Sequence, residues 1–317
     1  MGRRMLEDLR MTGTSRGYVD AMHGILAHCG WTSFSKPELS GMSVSAFRFN
    51  VNRRLTAESP TAYNWIAENF LAADFLGFTT SQQAGFSFDP TFPLYRKHAI
   101  VALKQSIDRG IGAVIWKDGF AVAVGYDDGE ETLYYRDGST TNHARGLHYG
   151  EFGCNRDPYW YYQVFEDQVE LDLAEVYKES LVQAVFKWET HDRMLPESRY
   201  ACGQAAYGAI IDALRSGDYD REGAAHTIGC YRASKRDIAS YVLTLSQYRQ
   251  EYGELVRPYA ELARIFEESE ALYMEGKAAD VIPLLRRAER TEGEAVAAIR
   301  AILRETLANR FEDIGLR

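Results

Sequence analysis

The hydrophobic period of this chain changes twice, and that change limits its architecture more than any other feature. Up to about residue 110 the apolar residues recur mostly at three- and four-residue steps. From 112 to 138, and again at 159–167, they fall instead in short β-branched and aromatic runs divided by glycine and acidic turns. After about Leu171 the helical step returns and continues to the end. The pattern predicts an α+β fold: a mixed domain with an antiparallel sheet at 1–170, then an all-α helical domain at 171–317. A length of 317 residues agrees, being above the size at which one hydrophobic core usually stops growing.

Within the first domain, Val19, Met22, Ile25, Leu26 and Cys29 mark an amphipathic helix over 17–29, stopped by Gly30. In SVSAFRFNV, residues 43–51, Phe47, Phe49 and Val51 alternate with Ala46, Arg48 and Asn50, which predicts a half-buried strand. Ser59, Pro60 and Thr61 supply a cap and an N1 proline for a helix beginning AYNWIAENF. Two prolines and a glycine make 79–96 read as loop, before a helix over HAIVALKQSIDRG. Strands follow at 112–117, 119–128, 132–138 and 159–167. Ala121, Ala123 and Gly125 give the second of these a small-residue face on which another element can pack closely.

Composition narrows the functional classes. A formal net charge of -9 disfavours a nucleic-acid tracker and an acidic lipid surface, both of which need a basic stripe. The N-terminus lacks the apolar run of a signal peptide and no stretch approaches the roughly 18 apolar residues of a membrane span, so the expected location is cytoplasmic. Cys29, Cys154, Cys202 and Cys230 are too scattered for a metal site and are expected as free thiols, mostly buried. His23 and His28, five apart, do not share a helix face. No metal and no cofactor is expected. The acidic run Asp127–Glu131 has the composition of a solvated hairpin turn rather than a calcium loop, and Tyr159–Tyr162 reads as core plus cover. No nucleophile elbow, zinc-protease helix, phosphate loop or dinucleotide fingerprint is present.

Taken together, LAHCG at 26–30, GMSVSAFRFNV at 41–51, ESPTAYNW at 58–65, SIDRGIGAVIW at 106–116 and GYDDGEETLYYRDG at 125–138 are similar to one family. So are AAYGAIIDALRSGDYD and VIPLLRRAERTEGEAVAAI in the helical half. The chain resembles proteins with the N-terminal domain of the butirosin-pathway acyltransferase BtrH, placed among the papain-like and bacteriocin-processing cysteine peptidases. The resemblance implies a papain-like first domain. It also implies a catalytic cysteine at the start of the opening helix, a histidine leading into the GYD strand, and an Asp or Asn that orients it. Here Tyr18 stands at the first place, Asp118-Gly119-Phe120 at the second, and Asp137 at the third.

With thiol and imidazole missing, the resemblance implies a non-catalytic accessory protein for a small-molecule, peptide or carrier-bound intermediate in bacterial natural-product biosynthesis, with a carrier protein as a possible partner. The alternative is an acyl- or peptidyl-group transferase using Tyr18, Asp118 and Asp137, with Asp118 as base, Arg48 as anion holder and Tyr126 as a further ligand contact. A displaced nucleophile at Cys29 or Cys154 is a third reading. In either of the first two, a cleft is expected between the N-terminus of the opening helix and the sheet, bordered by Tyr18, Asp118 and Asp137. Two close carboxylates there would raise one pKa.

Overall fold

The computed structural model describes residues 2–313 apart from 12, 16 and 140–142, with side chains to residue 304. In chain order the elements are β1 (Arg3–Met5), α1 (Tyr18–His28), α2 (Lys36–Met42), β2 (Asn50–Asn52), α3 (Trp65–Asp74), β3 (Phe78–Phe86), α4 (Phe92–Asp108), β4 (Ala113–Trp116) and β5 (Phe120–Asp127). There follow β6 (Thr132–Arg136), β7 (Arg145–His148), β8 (Tyr159–Gln168), α5 (Leu173–Glu189), β9 (Tyr200–Cys202), α6 (Gln204–Ser216), α7 (Arg221–Tyr248), α8 (Gly253–Met274) and α9 (Ala278–Asp313). The chain divides into two compact units, residues 1–39 with 65–171 and residues 40–64 with 172–317.

The first unit is built on an antiparallel sheet in the order β3-β8-β4-β5-β6-β7, with β1 pairing the part of β5 beyond the end of β4. Both faces of its centre are covered, which is why β4 and β5 are nearly continuous apolar runs. Alternation sorts the side chains. Phe120, Trp116 and Tyr161 point to the side where the rings of Tyr18 from α1 and Trp65 from α3 lie. Ala113, Ala121, Ala123 and Trp160 point to the other, where Trp160 meets Phe92 and Tyr95 of α4. A register shift between Ala123 and Gly125 interrupts the small-residue face predicted for β5, and Gly125 instead admits Met5 of β1. Gly24 lets α1 lie against the backbone of Arg10 and Met11, where any β-carbon would collide with a carbonyl.

Segment 79–96 is corrected from loop to strand and helix. Phe78–Phe86 is a nine-residue strand paired along its length with β8. Its prolines fall after it, with Pro93 in the first turn of α4, where a missing N–H costs little. The helix predicted from Ala62 begins at Trp65, and Ser59–Thr61 is a separate 3-10 turn.

In the second unit the strand predicted at 43–51 shrinks to Asn50–Asn52. Val44 has a positive φ of 65°, Ser45–Phe47 forms a 3-10 turn, and among the described residues the strand partner is the three-residue β9. Phe47 packs edge-on against Tyr241 and Tyr259, while Phe49 sits among Tyr207, Tyr231 and Phe266. The Tyr231 hydroxyl also donates to the Asn50 carbonyl, and the Asn50 amide donates to that hydroxyl. These contacts place residues 40–64 with the helices rather than with residues 1–39, and the β2–β9 pair makes the helical region not purely α. Within it, the ammonium of buried Lys235 lies 2.5 Å from the Glu292 carboxylate, which also accepts from the Tyr207 hydroxyl at 2.5 Å. No helix among the described residues is long and apolar enough to cross a membrane.

Candidate functional site at the start of the first helix

The first turn of α1 is organised around Asp20. Gly17, in extended conformation, is the N-cap, and its amide donates back to the Asp20 carboxylate at 3.1 Å, one half of a capping box. Asp20 also accepts from the Thr14 hydroxyl at 2.6 Å and from the amide and hydroxyl of Ser15 at 3.1 and 2.5 Å. Its side chain is wholly buried, with the Lys36 ammonium 3.9 Å away. One carboxylate thus closes the loop before the helix and occupies the positive end of its dipole. His23, one turn further on, is half-buried. Burial pushes its pKa down, opposed by the Asp20 charge and a hydrogen bond the ring donates to the Phe34 backbone.

Tyr18 is the first residue of α1 and is buried. Its hydroxyl lies 2.8 Å from the Gln163 side-chain oxygen on β8 and 3.0 Å from the Asn69 carbonyl on α3. Gln163 donates to the same Asn69 carbonyl and to the Thr80 hydroxyl, both at 3.2 Å. A phenol thus fixes three elements at the place where the resemblance puts a nucleophile. Around it Phe120, Trp65, Trp116, Tyr159 and Tyr161 form an aromatic wall with centroid separations of 4.4–6.2 Å. Two polar atoms of this end of the sheet, Trp116 Nε1 and Asn155 Oδ1, are buried with no hydrogen-bond partner among the described residues. The Asn155 amide holds the chain in place by donating to the Tyr159 and Trp116 carbonyls at 2.8 and 3.3 Å.

Asp118 and Asp137 reach the same end of the sheet, one in the turn from β4 to β5 and the other just after β6. Each has its own partners. Asp118, with φ of 56°, lies 2.9 Å from the Lys117 ammonium and accepts from the Arg156 amide at 2.7 Å. Asp137 pairs with Arg145 at 3.0 Å and accepts from the Ser139 amide at 3.1 Å. Partial burial raises both pKa values, but the Arg156 amide and Lys117 outweigh it at Asp118, and the Ser139 hydrogen bonds and Arg145 at Asp137. Both fall below the ordinary range. The expected raised carboxyl is therefore corrected: both acids are ionised at neutral pH, and neither is poised as a proton donor.

Of the other two predicted contacts, one is on the same sheet and one belongs to the second unit. Tyr126 is at the far end of β5, six residues or roughly 20 Å from Phe120, hydrogen-bonded to Asp108 at 2.8 Å with the Lys104 ammonium over its ring. That bond, then burial, pushes its phenol up. Arg48 belongs to the second unit, where its guanidinium stacks 3.5 Å from the Tyr63 ring centroid. The cysteines are corrected from mostly buried: Cys202 alone is buried, Cys29 and Cys230 are half-buried and Cys154 is exposed. Burial raises the Cys29 thiol, against a displaced nucleophile there.

Asp20, Lys36, Gln163 and Asn69 are the site residues that sequence reasoning missed. Asp20 had a readable signal, an acid three residues after a glycine at a helix start. Gln163, the lone amide in YWYYQVF, had a weaker one. No protein-family model matches this chain, and no curated protein matches it. The arrangement offers a hydrogen-bonded phenol, an aromatic wall and two ion-paired carboxylates. Among the described residues, a tyrosine rather than a cysteine opens the helix, with its hydroxyl already bonded to protein acceptors.

Proposed function

We propose that this chain is a non-catalytic relative of the papain-like, BtrH-type cysteine-peptidase fold, an accessory protein that binds a peptide or carrier-bound acyl intermediate in natural-product biosynthesis. The observation that carries this reading is Tyr18. At the helix start, where the family pattern has its cysteine, the phenol oxygen is buried and bonded to Gln163 and the Asn69 carbonyl. The order of an opening helix followed by an antiparallel sheet supports the fold half of the proposal. The aromatic wall, with an unpartnered donor on Trp116 and acceptor on Asn155, suits an amide or acyl chain.

Calorimetric titration with an acyl N-acetylcysteamine thioester, a small mimic of a carrier-bound acyl group, and with a short peptide amide tests the reading. Saturable binding is expected, weakened by Tyr18→Phe or Asp118→Asn and unchanged after alkylation of the accessible thiols. Thiol release proportional to protein, and lost in either variant, would establish the transferase reading instead.

A further inference from the structure

β3 is the terminal strand of its sheet, paired with β8 on one side only. The Ser87 amide donates to the Pro158 carbonyl at 2.8 Å, so by antiparallel alternation residues 81, 83 and 85 also turn their backbone groups toward β8. Gln82, Ala84 and Phe86 turn theirs outward. Folded proteins commonly blunt such an edge with charge, proline or a bulge. From Phe75 to Phe88 this chain has neither charge nor proline, and its register shift, at Thr79/Thr80, leaves the rest of the strand regular.

Exposed apolar groups border the edge. Phe86 and Phe88 stack with ring centroids 5.1 Å apart, and Phe88 is 69% exposed. Ile66 and Phe70 are exposed on α3, whose Ile66 carbonyl accepts from the Gln82 side chain at 2.5 Å. Exposed acids flank both ends, Asp74 and Asp167 at one and Asp89 and Asp157 at the other. Those acids select the occupant. A second copy pairing antiparallel through β3 would set one acidic end against the other, whereas a peptide with basic ends would neutralise both.

We propose that the outer edge of β3 is a strand-addition site for an extended partner peptide with an apolar centre and basic ends. Backbone bonds to Gln82, Ala84 and Phe86 supply the pairing, and the exposed rings select the central side chains. This edge uses outward backbone groups rather than Tyr18, although Gln82 accepts from the Tyr161 hydroxyl and Phe86 meets the Tyr159 ring at the rim of the aromatic wall.

The test uses the full chain and a labelled ten-residue synthetic peptide, alternating valine and phenylalanine between lysine pairs, followed by fluorescence anisotropy. Binding is expected, and replacing the lysines with glutamates, or N-methylating consecutive central amides, should weaken it at least about tenfold. Ala84→Pro, which removes an outward N–H and no ladder bond, should do the same, as should Phe88→Ser, whose exposed ring leaves folding intact. The proposal is overturned if the lysine peptide does not bind, or if N-methylation and Phe88→Ser leave its affinity unchanged. It is equally overturned if sedimentation shows a dimer that Ala84→Pro dissociates, which would make the edge a self-interface.

Discussion

Asp20 in the first unit and Glu292 in the second are both buried carboxylates, and the two are satisfied in opposite ways. Asp20 is held by neutral donors three to six residues away in its own loop, with an ammonium only at 3.9 Å. Glu292 is held by Lys235 and Tyr207, 57 and 85 residues away, each at 2.5 Å. The first is a local cap that any neighbouring chain geometry could keep. The second is a long-range ion pair that depends on three helices docking together, in a core where burial and the Glu292 charge push the Tyr207 phenol well above its ordinary value.

The largest effect should follow from breaking the long-range pair. Lys235→Met leaves Glu292 buried with its charge uncompensated and should cost about 3–5 kcal/mol in urea unfolding. Adding Glu292→Leu should recover part of that loss, because two apolar residues replace an ion pair that was expensive to desolvate, while the buried Tyr207 hydroxyl loses its acceptor. A single variant that costs under about 1 kcal/mol would show that the pair contributes little. Asp20→Ala should come next, at about 2 kcal/mol, since it removes a cap and orphans several donors together. Hydrogen exchange should place that loss in α1, whereas a loss spread evenly over the chain would contradict a local cap.

Tyr18→Phe should cost about 1 kcal/mol, the net worth of a buried hydrogen-bonded hydroxyl whose acceptors lose a donor. Tyr18 is a core residue, so this cost has a different origin from that of an exposed substitution. The smallest effect concerns acid. Asp118 and Asp137 have folded-state pKa values below the ordinary aspartate value. The stability they confer is therefore present above about pH 4 and lost as pH falls through the lowered folded values. Asp118→Asn should flatten that acid limb of the unfolding curve and leave stability near pH 7 lower; an unchanged acid limb would contradict the Lys117 and Arg156 contacts.

The same local-versus-distant contrast explains what the sequence disclosed. α1, β4 to β6, β8 and the main body of α4 were legible because their period is carried by consecutive residues. β3 was not, since Thr-Thr-Ser-Gln-Gln has no apolar alternation and becomes a strand only through a partner some 80 residues later. The stretch 43–51 had a strand period, yet Phe47 and Phe49 serve two aromatic clusters in the helices rather than one sheet face. At the site, Tyr18 could be placed at a helix start from spacing alone. Its acceptors, 51 and 145 residues away, could not, and neither could the private cations that keep Asp118 and Asp137 apart in role.

The proposed binding role rests on a buried, bonded phenol at the start of α1. Intact-mass spectrometry of the chain incubated with an excess of an acyl thioester tests it most directly. The protein mass should remain unchanged while the thioester binds reversibly. An acyl adduct formed at Tyr18, or at any cysteine, and discharged to water or an amine would contradict it.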